Sequence, residues 1–386
     1  MSMLITMDAT LIDEFRDKVN DSKVLQGMLR NVDEKNHWNI LCSAMDWIST
    51  VANGLPTLDI IPSDGMGYDH LDTLKLMQYI VLIDVLSESI IQLFRVMDKD
   101  QPYPLKSDTS VFQQSRLDDD TYFKHIRAAF STHPVNLSSV DGVRNNGGER
   151  FYASWVAKHG PVDHDYYVLL YSNDPAKEGH YYLGVNIADL NLYAEKRYKL
   201  LEILIQMVDS KVKNHISFYQ SKIISSKDEI SEELDILLEE DKKRFGTFRG
   251  YLGYSNDILY IRRMLETDTN PISGRVCEQI IHDYKEFLKS TISQIREGVQ
   301  NVNRINVLSI RCIGYEFEKI YTYLSNHSHP VGEMFFNELI KNLELPTFLS
   351  TTEDFDLKQL VVDSYIHQKS MELERNVNFD EFIICS

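Results

Sequence analysis

The spacing of apolar residues changes twice along this chain of 386 residues, and that change constrains its fold more than any other feature. Segments such as "EKNHWNILCSAMDWISTVANG" and "LYAEKRYKLLEILIQMVDSKV" repeat apolar residues every three or four positions, which is typical of helices. Between them, "RFYASWVAK", "DYYVLLYS" and "HYYLGVNI" are short, aromatic and β-branched, and turn residues separate them. The sequence therefore predicts a mainly α fold that contains a three-stranded antiparallel β-meander.

The same pattern predicts how the chain is divided. We expect a helical N-terminal domain over residues 1–145, the meander with a long helix over 146–223, and a helical C-terminal domain over 224–386. Within the last domain, the periodicity also predicts a helix over 305–325. The chain is long enough for two or three domains with proper cores.

Charge and composition exclude several classes of protein. The formal net charge of -18 counts against broad nucleic-acid binding, although it allows a small local basic site. The four cysteines are far apart, which argues against a zinc site or a disulfide framework. The longest apolar run, "YIVLIDVLSESIIQLF", is interrupted by polar residues and is shorter than the roughly 20 residues of a membrane span. We expect a cytoplasmic protein with no membrane contact, and no motif indicates a cofactor.

The stretch "YFKHIRAAFSTHPVNL" is the most informative one for chemistry. The aspartates at 118–120 can cap a helix that Pro134 ends, so His133 lies at or just past its C-terminus. Arg127 precedes His133 by six positions. A histidine can move the proton of a ribose 2′-hydroxyl, and a guanidinium can hold the phosphate, so RNA could be cleaved without a metal. In the simpler interpretation, Arg127 pairs with an acid and His133 stabilises the helix end.

The segment "RAAFSTH" resembles the motif of the HEPN superfamily, in which an arginine is followed, after four to six residues, by a histidine at a helix end. The resemblance covers at most residues 1–145. It implies a metal-independent endoribonuclease that acts as a homodimer on an RNA substrate, as in defence or stress effectors. His133 would be the general acid or base, Arg127 would stabilise the phosphate, and Asp84 or Glu88 on the preceding helix would orient Arg127. Ala128 departs from the family, where this position is commonly polar.

Two other functions remain open from the sequence. The chain could be a non-catalytic protein that binds a protein partner through the aromatic meander or the acidic C-terminal half, as Ala128 and the negative charge favour. His327 and His329 in "NHSHP" have a spacing known from metal ligands, which would suit a metal-dependent hydrolase.

Overall fold

The computed structural model describes residues 5–30, 32, 34–61, 63–113, 115–140, 143–144, 149–159, 163–176, 181–246, 252–273, 277–308 and 312–382. The chain forms two compact units, Met1–Asn214 and His215–Ser386, called the first and second unit below. Helices dominate both units, and the first also holds a small antiparallel sheet, so the predicted fold class is confirmed. The division into three domains stays a prediction.

Helices in the first unit begin where polar side chains can accept the free amide protons of the first turn. Asp8, Asn36, Asp69 and Asp118 each do so at the start of a helix. The helices are α1 (Ala9–Asp21), α2 (Lys23–Leu29), α3 (His37–Gly54), α4 (His70–Met97), α5 (Asp119–Arg127), α6 (Ile187–Tyr198) and α7 (Leu201–Gln220), the last of which ends in the second unit.

The core of the first unit lies between the apolar faces of these helices. α4 packs against α3 and α6, and its buried residues recur at helical spacing, among them Leu76, Ile80 and Ile83. Ile48 and Leu41 of α3 are also fully buried in this core. Other helices cover α4 on two sides, and Asp84 in its middle is only partly exposed.

The predicted meander is present, with its first strand broken in two. The strands are β1 (Gly67–Tyr68), β2 (Ser139–Val140), β3 (Val143–Arg144), β4 (Phe151–Ala153), β5 (Ala157–Lys158), β6 (Tyr166–Ser172) and β7 (Tyr181–Val185). β4 and β5 pair with one edge of β6, β7 pairs with its other edge, and β1 extends the sheet beyond β5. β2 and β3 form a separate hairpin.

Alternation along β6 explains how the sheet joins the core. Tyr166, Val168 and Leu170 are buried, while the residues between them are only half-buried. Between β4 and β5, Ser154 keeps contact with β6, because its amide donates to the Leu169 carbonyl over 2.7 Å. The sheet therefore has one face against the helices and one aromatic face toward solvent.

The second unit is built from α8 (Ile230–Phe245), α9 (Ser255–Glu266), α10 (Cys277–Gln300), α11 (Tyr315–Asn326), α12 (Pro330–Asn342), α13 (Phe348–Thr351) and α14 (Phe355–Leu373). The predicted helix over 305–325 is wrong in its first part, since helix begins only at Tyr315. Residues 303–308 are irregular, and the Ile305 amide donates to the Tyr254 hydroxyl instead of to a helical carbonyl. Gly314, with a φ of 113°, turns the chain into α11.

Candidate active site

The start of α5 is fixed by three consecutive aspartates with different partners. Asp118 is the N-cap and accepts from the Thr121 amide over 3.0 Å. Asp119 is fully buried and accepts from the amides of Val111 and Phe112 over 3.1 and 3.0 Å. These bonds connect the N-terminal end of α5 to the loop that precedes it, and they fix the position of the helix there.

Asp120 joins α5 to α6 through an ion pair with a buried arginine. The Arg197 guanidinium is fully buried and donates to Asp120 Oδ1 from Nη2 over 2.5 Å and from Nε over 3.1 Å. The Tyr193 hydroxyl donates to the same oxygen over 2.8 Å, and the guanidinium lies 3.3 Å from the centre of the Tyr193 ring. Burial raises the pKa of Tyr193 well above its ordinary value, so the phenol remains a donor. Tyr193 also stacks on Phe123 of α5.

At its C-terminus α5 continues into one wide turn, Ala128–Thr132, which is closed by a bond from the His133 amide to the Ala128 carbonyl over 3.0 Å. A bond of this i→i+5 type marks a π-bulge, which occurs frequently at functional sites. His133 follows the turn with non-helical backbone angles, as its position before Pro134 predicts. Its side chain is exposed.

The wide turn brings two histidines to the same side of the helix. An α turn of about 3.6 residues followed by one turn closed by an i→i+5 bond spans about eight residues, which is the separation of His125 and His133. Both residues line one cavity of about 220 Å³. Lys124 and Asn136 add polar atoms to its wall. Side chains from the helix, the segment after it and the sheet close it: Ala128, Ala129, Leu137, Ser138, Leu170 and Leu183. We call this the histidine cavity.

Arg127 lies outside the residues that line the histidine cavity. Its Nη1 donates to both carboxylate oxygens of Asp84, each over 2.7 Å, so the predicted pairing of these two residues is present. The pair is partly open to solvent, with 33% of the Arg127 side chain and 28% of the Asp84 side chain exposed. Arg127 Nε is buried and has no hydrogen-bond partner among the described residues. One acid therefore holds the guanidinium in place, and Nε remains without a hydrogen-bond partner in that part of the chain.

Glu88 does not share this role. It is exposed, because this position of α4 faces away from the core. Its carboxylate accepts from Gln92 over 2.6 Å and from Arg95 over 3.5 Å. Of the two acids proposed to orient Arg127, only Asp84 contacts it.

The histidine cavity has the chemical groups needed for acid–base work on an anion. Two imidazoles line the same cavity and can accept and donate protons there, and an ammonium can balance the charge of a bound phosphate. Sequence reasoning identified His133 and missed His125 and Lys124. In a regular helix His125 and His133 would lie about 80° apart, and the sequence pattern does not indicate the π turn that changes this angle.

The two histidines considered as metal ligands have other contacts. His327 ends α11 and stacks on Phe355 with ring centres 4.2 Å apart. His329 caps α12, and its Nδ1 accepts from the Gly332 amide over 3.0 Å. Within the described residues, no group of three or more His, Cys, Asp or Glu side chains is arranged to hold a metal ion.

Comparison of the chain with protein-family models, with curated proteins and with solved structures gives no match. The resemblance to the HEPN superfamily therefore stays a prediction that depends on Arg127 and His133 alone. In the part of the chain that the structure describes, no helix combines the length and the apolar character needed to cross a bilayer.

Proposed function

We propose that this protein is a metal-independent endoribonuclease of HEPN type, with its active site in the histidine cavity. One imidazole, from His133 or His125, removes the proton of a ribose 2′-hydroxyl, and the other protonates the departing 5′-oxygen. The 2′-oxygen forms a bond to phosphorus as the bond to the 5′-oxygen breaks, which leaves a 2′,3′-cyclic phosphate and a 5′-hydroxyl. Lys124 balances the charge that develops on the phosphate.

The observation that carries this proposal is the presence of two histidines and a lysine in one cavity directly at a π turn. A π turn interrupts regular helical hydrogen bonding, and such turns occur frequently at functional sites. Here the turn has a specific effect, which is to align His125 with His133. A helix that simply ended at Pro134 would require neither a π turn nor a second histidine in the same cavity.

Arg127 enters the proposal through a second copy of the chain. Its guanidinium is oriented by Asp84 outside its own histidine cavity, so it can reach a bound phosphate most simply in a homodimer, where it would serve the site of the other subunit. An arginine with one bonded acid retains donors for a phosphate. The same arrangement would suit a defence or stress effector, whose activity can be controlled through assembly.

The test uses purified protein and a mixed pool of end-labelled RNA in EDTA. We expect the wild type to cut and to leave 2′,3′-cyclic phosphate ends, and His133→Ala to cut about 10² to 10⁴ times more slowly. His282→Ala is the matched control, because His282 is an exposed histidine on a helix of the second unit. Equal rates for the wild type and His133→Ala would contradict the site, and no cleavage by any of the three proteins would contradict the function.

A second function is favoured by the aromatic face of the sheet. Trp155 is 70% exposed and lies against exposed Tyr68, with ring centres 5.8 Å apart. Tyr152 and Tyr171 are paired across β4 and β6 and are also exposed. Exposed aromatic side chains are enriched in protein interfaces. If binding a protein partner is the function, Trp155→Ser should abolish it and leave the circular dichroism spectrum unchanged, while His133→Ala should have no effect on it.

A further inference from the structure

The second unit contains a cavity of about 230 Å³ whose lining differs from that of the histidine cavity. Aromatic side chains from α9 and α10 form much of its wall, and α14 supplies an acid, Asp363, together with apolar Ile366. An engineered cavity of about 150 Å³ is large enough for benzene. The space here therefore suits one ring with a short chain. We call it the Asp363 cavity.

Asp363 is 4% exposed, and its partners are neutral. The Tyr260 hydroxyl donates to Oδ2 and the Tyr321 hydroxyl to Oδ1, each over 2.5 Å. Within the described part of the chain, no lysine or arginine forms an ion pair with this carboxylate. Burial raises the pKa of Asp363 to about 6, which reflects the cost of a charge in this environment.

The wall of the cavity contains a second acid, Asp257, which has a cationic partner. Asp257 lies 2.7 Å from Arg304 Nη2, so its charge is matched by a cation already present. Arg263 acts on Asp363 only through space and lowers its pKa, while its own guanidinium pairs with Asp356 over 3.3 Å. Among the described residues, an ionised Asp363 therefore has no cation bonded to it. A ligand with one positive charge would neutralise this carboxylate without leaving a new charge buried.

The aromatic wall suits the same ligand. Tyr284 and Phe287 are stacked with ring centres 6.0 Å apart, and His367 stacks on Phe287 at 4.1 Å. The face of an aromatic ring attracts an organic cation, and it also packs against an apolar body. A carboxylate beside such rings is a combination that recognises ammonium groups.

We propose that the Asp363 cavity binds a small organic cation, namely a protonated primary amine attached to a single ring or an apolar group of that size. The ammonium donates to Asp363, and the apolar body packs against Phe287 and Ile366. This proposal is independent of ribonuclease activity, since it uses no residue of the first unit. It assigns the second unit the role of a ligand-binding module.

The test compares three probes of nearly equal shape by isothermal titration calorimetry and thermal melting: phenethylammonium, 2-phenylethanol and phenylacetate. We expect phenethylammonium to bind with a Kd on the order of 1 mM or tighter and to raise the melting temperature. The neutral alcohol should bind at least about tenfold more weakly, and the anion should not bind, because the acid selects for charge. Equal binding of amine and alcohol, or no binding of the amine, would overturn the proposal.

Variants locate the binding. Asp363→Asn should weaken phenethylammonium binding at least about tenfold, since a charged hydrogen bond is replaced by a neutral one. Ile366→Trp fills the space and should abolish binding by a second route, should Asp363→Asn fold poorly. Glu372→Gln is the control, because Glu372 is an exposed acid on the same helix. Unchanged binding in both cavity variants, with circular dichroism showing that they are folded, would place the ligand elsewhere and overturn the proposal.

Discussion

The two units of this molecule each hold a cavity with ionisable groups, and the two linings have opposite chemistry. The histidine cavity presents imidazoles and an ammonium, and His133 and Lys124 are exposed to solvent. The Asp363 cavity places a carboxylate among aromatic rings and removes it from solvent. Groups in contact with water can exchange protons during a reaction, whereas a buried acid is better suited to binding a charge of opposite sign. This difference is why we propose catalysis for the cavity of the first unit and ligand binding for the cavity of the second.

The largest effect is expected from removing the second imidazole of the histidine cavity. His125→Ala should lower the RNA cleavage rate about 10² to 10⁴ times, because one of the two proton transfers loses its carrier. The pH–rate profile of the wild type should be bell-shaped, and the variant should lose one limb of it. Single-turnover rates measured in EDTA from about pH 5 to pH 9 test this. A variant that retains both limbs would show that His125 is not part of the site.

The next largest effect is expected on stability, from the ion pair that joins α5 to α6. Arg197→Met should destabilise the first unit by about 3–5 kcal/mol, because it leaves Asp120 as an unpaired acid beside a buried cluster. Arg16→Met, which breaks the more exposed pair with Asp46, is the control and should cost less than about 1 kcal/mol. Hydrogen exchange of the amides in α5 and α6 reports the loss locally. Similar protection in both variants would mean that the Asp120 pair does not anchor α5.

A third prediction concerns how the free energy of unfolding depends on pH through the buried acid Asp363. The pKa of Asp363 is raised to about 6 in the folded protein from an ordinary value of 3.8, so the native state binds this proton more tightly than the unfolded state does. The stability from this proton is complete below pH 3.8 and is lost as the pH rises through about 6. Relative to Asp363→Asn, the wild type should lose on the order of 3 kcal/mol between about pH 4 and pH 7.

Urea unfolding monitored at several pH values measures this difference. Asp356→Asn, at a half-exposed position of the same helix, should follow the wild type at every pH. If the gap between the wild type and Asp363→Asn stays constant with pH, the acid is not buried as described.

The smallest effect is expected at the pair that joins α4 to α5. Asp84→Asn should cost less than about 1 kcal/mol of stability, because both side chains are partly exposed. It should lower cleavage about tenfold, since Arg127 would lose the group that orients it. Glu88→Gln should change neither quantity, since Glu88 contacts Gln92 and Arg95. An equal loss of activity in both variants would contradict the claim that Asp84 orients Arg127 and Glu88 does not.

Much of the fold could be predicted because it depends on local pattern. The period of the apolar residues gave the long helices and the meander, Asp118 marked the start of α5, and Pro134 marked the end of its last turn. The Asp84–Arg127 pair was also accessible, since a polar residue on an otherwise buried helix needs a partner. Apart from that pair, whose members lie on two helices, these features depend on residues close together in the sequence.

The two cavities could not be predicted in the same way. The histidine cavity depends on a π turn, whose extra residue changes which side chains share a face. The Asp363 cavity brings together Tyr260, Tyr284 and Asp363 from three different helices, and Tyr321 of a fourth helix bonds to Asp363. Their meeting depends on how those helices pack, and each residue alone looks like ordinary core or surface.

The most direct test offers the wild-type protein, in EDTA, two oligonucleotides of one sequence, RNA and its 2′-deoxy counterpart. If the histidine cavity moves the proton of a 2′-hydroxyl, only the RNA is cut, and its fragments end in a 2′,3′-cyclic phosphate. Cleavage of both strands at similar rates, or of neither, would contradict the account.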